Sequence, residues 1–236
     1  MTPLKQRIAG LDWPALAGQL DAEGGALVPG LLDTRQCEGL RALYARDEPF
    51  RSRVVMARHH FGLGEYRYFA YPLPGLVQEL REAFYSPLRV IAERWHERMG
   101  SGIRYPEQHA GFLAQCHAAG QLRPTPLLLR YRAGDYNCLH QDLYGELAFP
   151  LQVAILLSRP GEEFDGGELV LTEQRPRQQS RAEVVPLRQG DAVVFAVAQR
   201  PVPGPRGYHR VNLRHGVSRV HTGERFTLGV IFHDAL

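Results

Sequence analysis

The sequence predicts an α+β protein, helical in its first half and built from short strands in its second. Three observations point there. From Pro74 onward, Leu76, Leu80, Phe84, Leu88, Ile91, Trp95 and Met99 recur at steps of three and four, the apolar face of one long helix. After Pro124 the pattern shortens to "TPLLLRYRAG", "LAFPLQVAILLS", "GGELVLTE", "AEVVPLRQGDAVVFAVA" and "RFTLGVIFHD", apolar runs broken by Gly, Pro and Asp. Such spacing is that of a β-sandwich or barrel. The composition, 44% hydrophobic and 22% charged over 236 residues, is that of an ordinary globular chain able to bury a sizeable core.

In chain order, "MTPLKQRIAGLDWPAL" lacks the apolar centre and small-residue cleavage site of a signal peptide. No apolar run approaches the roughly 20 residues that span a bilayer. That lack predicts no membrane partner, and Cys37, Cys116 and Cys138, odd in number and without a CxxC pair, argue against a disulfide framework and predict a reducing, cytoplasmic setting. "DTRQCEGLRALYAR" begins a helix at Asp33 or Thr34. The β-branched and aromatic stretch 51–73 turns at Gly62 and Gly64 and reads as a hairpin. The long helix ends near Gly100, and "PEQHAGFLAQCHAAG" forms a shorter one. Trp13 and Trp95 read as packing residues. With no repeat or linker, residues 1–236 form a single domain: 1–123 a mainly helical support, 124–236 a β-rich core.

The formal charge is +3, and Lys5 is the only lysine. Arg200, Arg206, Arg210, Arg214, Arg219 and Arg225 share one stretch whose only acid is Glu224, a candidate basic lip.

Chemistry concentrates at "CLHQDLYGE". In a strand, residues two apart share a face, so His140 and Asp142 can approach one ion together. Mixed imidazole and carboxylate ligation suits iron, and a 2-His-1-carboxylate set needs one more histidine. His209, His215, His221 and His233 are the candidates. His215 is preferred: it lies ten residues before Arg225, and a turn between them would bring both into one pocket, with His209 as the alternative. Arg225 and Thr227 share a face at the start of "RFTLGVIF", and an arginine fork beside a hydroxyl receives a carboxylate. Asp135, Asn137 and Tyr144 flank the triplet. Glu146 is expected to meet solvent or an arginine, and Cys138 reads as a small buried hydrophobe.

In that order, "YRAGDYNCLHQD", "DGGELVL", "LRQGDAVVFAV" and "HGVSRVHTGERFTLGVIF" resemble the Fe(II)/2-oxoglutarate-dependent dioxygenases, over about Leu127 to Phe232. The resemblance implies a double-stranded β-helix (jelly-roll) core. His140, Asp142 and His215 would hold Fe(II), and Arg225 with Thr227 would bind the distal carboxylate of 2-oxoglutarate. Tyr131 matches a position that contacts this cosubstrate. Gly166 and Gly167 match a turn pair, and Gly190 and Asp191 a turn into a core strand. O₂ is the co-reactant and ascorbate a reductant.

"RYRAGDYNCLHQD" looks like the alkylated-base demethylases of the AlkB type. The whole chain resembles a small bacterial family of such oxygenases proposed to act on damaged DNA. Leu129 and Ile231 depart from the AlkB pattern, where an asparagine and a second arginine stand. "DGGELVL" and "GDAVVF" look more like prolyl-hydroxylase-type enzymes. The implied substrate is therefore damaged DNA or RNA, with a protein side chain as the alternative and a non-catalytic metal- or 2-oxoglutarate-binding sensor as a third reading. For a nucleic acid, Tyr66, Tyr68, Arg67, Asn137, Tyr144 and Arg210 are the expected contacts, with Phe61, Tyr71, His59 and His60 completing an aromatic lid. The sequence leaves the oligomeric state open.

Overall fold

Strict alternation along the apolar strands decides the architecture. In the strand Leu151–Leu156, Leu151, Val153 and Ile155 face one side and Gln152, Ala154 and Leu156 the other, yet all are buried. A strand buried on both faces must lie between two layers. A computed structural model of the protein, describing residues 3–175 and 177–236, shows those layers.

Among the described residues the helices are α1 (Leu4–Ala9), α2 (Trp13–Glu23), α3 (Thr34–Leu43), α4 (Gly75–Arg98) and α5 (His109–Ala118). The strands of the first half are β1 (Gly25–Val28), β2 (Phe50–Val55), β3 (Gly62–Leu63) and β4 (Glu65–Phe69). Those of the second are β5 (Leu127–Arg132), β6 (Tyr136–His140), β7 (Leu151–Leu156), β8 (Phe164–Gly166), β9 (Leu169–Gln174), β10 (Arg181–Val185), β11 (Ala192–Ala196), β12 (Gln199–Gly204), β13 (Gly207–Val217) and β14 (Val220–Val230). The larger sheet runs β1-β11-β7-β14-β5-β4-β2, and the smaller β10-β9-β13-β6-β3, all pairs antiparallel. β8 joins β14 and β12 joins β13.

Helices cover the outer face of the larger sheet. Val77, Leu80, Phe84, Leu88, Ile91 and Trp95 of α4 are buried in the same cluster as Leu128, Val153, Val194 and Leu228 of the sheet, while Leu76 and Met99 are only partly buried. Asp33 caps α3 through a capping box with Gln36. The inner face meets the smaller sheet through Leu156, Val193 and Phe195 on one side and Leu169, Leu171 and Val217 on the other. The first half is more than a support. β1, β2 and β4 extend both edges of the larger sheet, and β3 extends the smaller one. No described helix is long and apolar enough to cross a membrane.

The C-terminal segment is locked by charge. Arg81 and Asp234 form a wholly buried ion pair at 2.7 Å, and Asp234 also accepts from Tyr71 and from the ring of His117.

Candidate active site

His140 ends β6 directly opposite His215 of β13, with ring centroids 4.2 Å apart. Asp142 stands just past the strand. Its Oδ1 lies 3.5 Å from His140 Nε2 and its Oδ2 3.2 Å from His215 Nε2. One ligand atom from each residue falls within 4.8 Å of the others, a spacing that suits one metal ion. His140 Nδ1 is 2.8 Å from the Cys138 carbonyl, which assigns the proton to that nitrogen and leaves Nε2 free to ligate. Burial alone would raise the Asp142 carboxyl. Hydrogen bonds and charge from His140 and His215 hold it well below the carboxylate range. Burial lowers His215, whereas His140 is raised because Asp142 outweighs burial. Tyr144 donates to Asp142 Oδ1 at 2.5 Å and Gln152 to Oδ2 at 3.0 Å.

A cavity of about 310 Å³ opens from this cluster between the sheets. Its other polar end is Arg225, on the β14 face shared with Thr227 and Gly229. Arg225 Nη1 donates to Thr227 Oγ1 at 2.6 Å, and the guanidinium lies 5.6 Å from the Tyr131 ring centre. Arg225 forms no salt bridge among the described residues, the Glu168 carboxylate acting on it only at longer range, and its Nε and the Tyr131 hydroxyl are buried without partners. Burial pushes the guanidinium down to about 10 and the Tyr131 phenol upward. Gly167 permits this placement: at φ +64°, a Cβ there would sit 3.0 Å from Arg225 Cδ.

The other expected contacts divide. Tyr66, Asn137 and Tyr144 line the cavity, as do His60 and Phe61. Tyr68 lies behind them, buried in edge-on contact with Tyr66 and Tyr144. Arg67 does not contribute. Alternation turns it to the opposite face of β4, where it pairs with Asp47 and covers Tyr44 and Phe50. Arg210 is also outside: it faces β12 at the far end of β13 and donates to the Met99 carbonyl. His209 shares that end and is absent from the metal-competent cluster. Tyr71 is held by Arg81 and Asp234. The candidate basic lip divides: Arg200 is buried against Glu173 and the Asp21 and Ala22 carbonyls and Arg225 is buried in the cavity, whereas Arg206, Arg210, Arg214 and Arg219 are exposed and line no part of it. Cys138, expected buried, is exposed on the cavity wall because β6 lies near the sheet edge. Gln152, Phe195 and Leu187 also line the cavity, unnoticed in the sequence. For Gln152 the signal was there, one polar residue inside the run "LQVAIL".

Two antiparallel sheets enclosing a His-Asp-His cluster and a buried arginine define an oxygenase of the 2OG-Fe(II) fold. The family model described as oxygenases catalysing oxidative methylation of damaged DNA (Oxygenase-NA) matches residues 64–235, and the chain belongs to that family. The uncharacterized protein Rv2227 of Mycobacterium tuberculosis (strain ATCC 25618 / H37Rv) is 48% identical over 167 residues, 71% of this chain and 72% of the relative. The crystal structure of a Pseudomonas putida prolyl-4-hydroxylase superimposes with a TM-score of 0.57 at 16% identity, covering 95% of this chain and 100% of that one. An oxidoreductase of the 2OG-Fe(II) oxygenase family from Burkholderia pseudomallei gives 0.55 at 18% identity, covering 96% and 93%. These two structures share the fold.

Proposed function

We propose that the protein is an Fe(II)- and 2-oxoglutarate-dependent dioxygenase with a double-stranded β-helix core, and that it oxidatively dealkylates bases in damaged nucleic acid. The observation that carries the reading is one cavity holding both a two-imidazole, one-carboxylate cluster and a buried arginine that forms no salt bridge among the described residues. The donor set fits a divalent iron with open positions. The unpartnered Arg225 Nε and Tyr131 hydroxyl fit a cosubstrate carboxylate.

Bound iron, 2-oxoglutarate and O₂ supply oxidative decarboxylation to succinate coupled to oxygen insertion into a substrate C–H bond, with ascorbate keeping the metal reduced. The chain's part is placement. His140, Asp142 and His215 would hold the ion at the end of the cavity. Arg225 and Thr227 would take the distal carboxylate, and the Tyr131 hydroxyl would donate nearby. The apolar wall of Leu169, Leu187 and Phe195 excludes water. Hydroxylating the first carbon of an N-alkyl group gives a hemiaminal, which releases an aldehyde and restores the base.

The cavity wall supports the choice of substrate. Phe61 is exposed and stacks on His59, with centroids 5.3 Å apart and rings 22° from parallel. Arg58 and His59 are exposed in the turn Met56–His59, and residues 50–64 contain no acid. An unstacked base would find a π-face there beside the exposed Arg58.

Incubation with Fe(II), 2-oxoglutarate, ascorbate and O₂, with methylated single-stranded oligonucleotides beside proline-containing peptides, tests the reading by mass spectrometry and succinate release. Methyl loss from the oligonucleotide with matching succinate is expected. Oxygen gain on peptides alone would overturn the substrate, and no succinate under any condition would overturn the dioxygenase.

A further inference from the structure

Gln152 projects from β7 into the end of the cavity where the three cluster residues meet. Ala154 and Leu156 on the same face are packed in the apolar cluster between the sheets. An amide there is costly, because it is buried and its Oε1 has no partner among the described residues. Its Nε2 lies 3.0 Å from Asp142 Oδ2 and 3.2 Å from His215 Nε2. The amide therefore touches the carboxylate and one imidazole of the cluster together.

Backbone setting separates it from the other donor to Asp142. Asp142 lies in segment 141–149, which forms neither helix nor strand, and Tyr144 belongs to the same segment. Tyr144 therefore travels with the group it holds. β7 is paired on both sides, to β11 and β14, so Gln152 is fixed to the larger sheet. His215 stands on the smaller sheet, and Gln152 thus reaches across the cavity to both groups.

We propose that Gln152 is a positioning residue of the metal centre: it sets the Asp142 carboxylate against His215 and thereby the site's affinity for a divalent cation. The proposal rests on reading the cluster as a metal site. It accounts for a buried amide in an apolar strand, since a hydrogen bond that orients a ligand carboxylate governs how well the ligands converge.

Co(II) titration of the full chain by calorimetry and visible absorption, alongside thermal melts of the metal-free protein, tests it. Q152M keeps the volume and removes the donor. Its Co(II) Kd should weaken by about tenfold to a hundredfold, the usual effect of losing such a partner, while the metal-free Tm stays level or rises. Q152N, too short to reach Asp142, should lose the same affinity, and it answers the question if Q152M does not fold. An unchanged Kd in either folded variant, whatever its Tm, overturns the proposal. If the wild type binds no Co(II), or D142A binds it equally well, the metal-site reading itself fails. That outcome is distinct from wild-type binding with an indifferent Gln152.

Discussion

Replacing Arg225 with methionine removes the guanidinium while filling much of its volume, and it separates a ligand-binding arginine from a structural one. A guanidinium pushed by burial from its ordinary 12.5 to about 10 carries about 3 kcal/mol of uncompensated desolvation in the empty protein. Arg225→Met relieves that cost and loses one hydrogen bond to Thr227, worth about 1 kcal/mol net. The metal-free protein should therefore melt at the same temperature or a few degrees higher. A bound carboxylate would restore the missing counter-charge, so its loss should weaken 2-oxoglutarate binding by about 3 kcal/mol, roughly a hundredfold in KM. The assay pairs thermal melts of the metal-free variant with succinate formation across a 2-oxoglutarate series. A melting temperature lowered by many degrees together with an unchanged KM would refute the reasoning, because Arg225 would then be stabilising the fold and facing no ligand.

The remaining predictions concern the mouth, the C-terminal lock and acid stability. Phe61→Ala alters an exposed ring, so Tm should hold, whereas KM for a methylated oligonucleotide should rise about tenfold, the worth of one lost base stack, with KM for 2-oxoglutarate unchanged. Equal oligonucleotide KM values would remove Phe61 from the substrate path. Asp234→Asn leaves Arg81 buried without its anion, which should cost about 3–5 kcal/mol and lower Tm by about 10 °C in a calorimetric scan. A drop of only a degree or two would mean that the carbonyl acceptors of Arg81 suffice. Burial lowers His109 to about 3 and His233 to about 4, so both stay neutral when folded while the unfolded chain gains protons below pH 6.5. Their stability contribution is complete above pH 6.5 and falls as the pH drops toward 4, by about 2 kcal/mol each at pH 5. His140, raised by Asp142, opposes this with a single group. Urea unfolding at pH 7.5 and pH 5 measures the difference, and equal midpoints would contradict the sign.

What the sequence made legible was what short-range periodicity encodes. The i, i+2 rule put Arg225 with Thr227 on one strand face, and the i, i+3/i+4 rule drew the buried side of α4. Periodicity names a face without saying what the face meets. Tyr66 and Arg67 illustrate the limit: adjacent in an aromatic run, they lie on opposite sides of β4, and only the pairing of β4 with β5 decides which side holds the cavity. The arginines show it more sharply. Arg81, Arg200 and Arg225 are all buried, and nothing local separates them. Their partners do. Arg81 meets Asp234 and Arg200 meets Glu173, each brought close by the fold. Arg225 meets a hydroxyl and aromatic rings. A buried cation needs an anion somewhere in its cycle, since burial without one is among the costliest arrangements a core can hold. The two arginines whose acids are built into the chain hold it together. The third forms no salt bridge among the described residues and faces a cavity, so on the proposed reading its anion arrives with a ligand, which would make Arg225 the member of an arginine-rich chain that speaks to function.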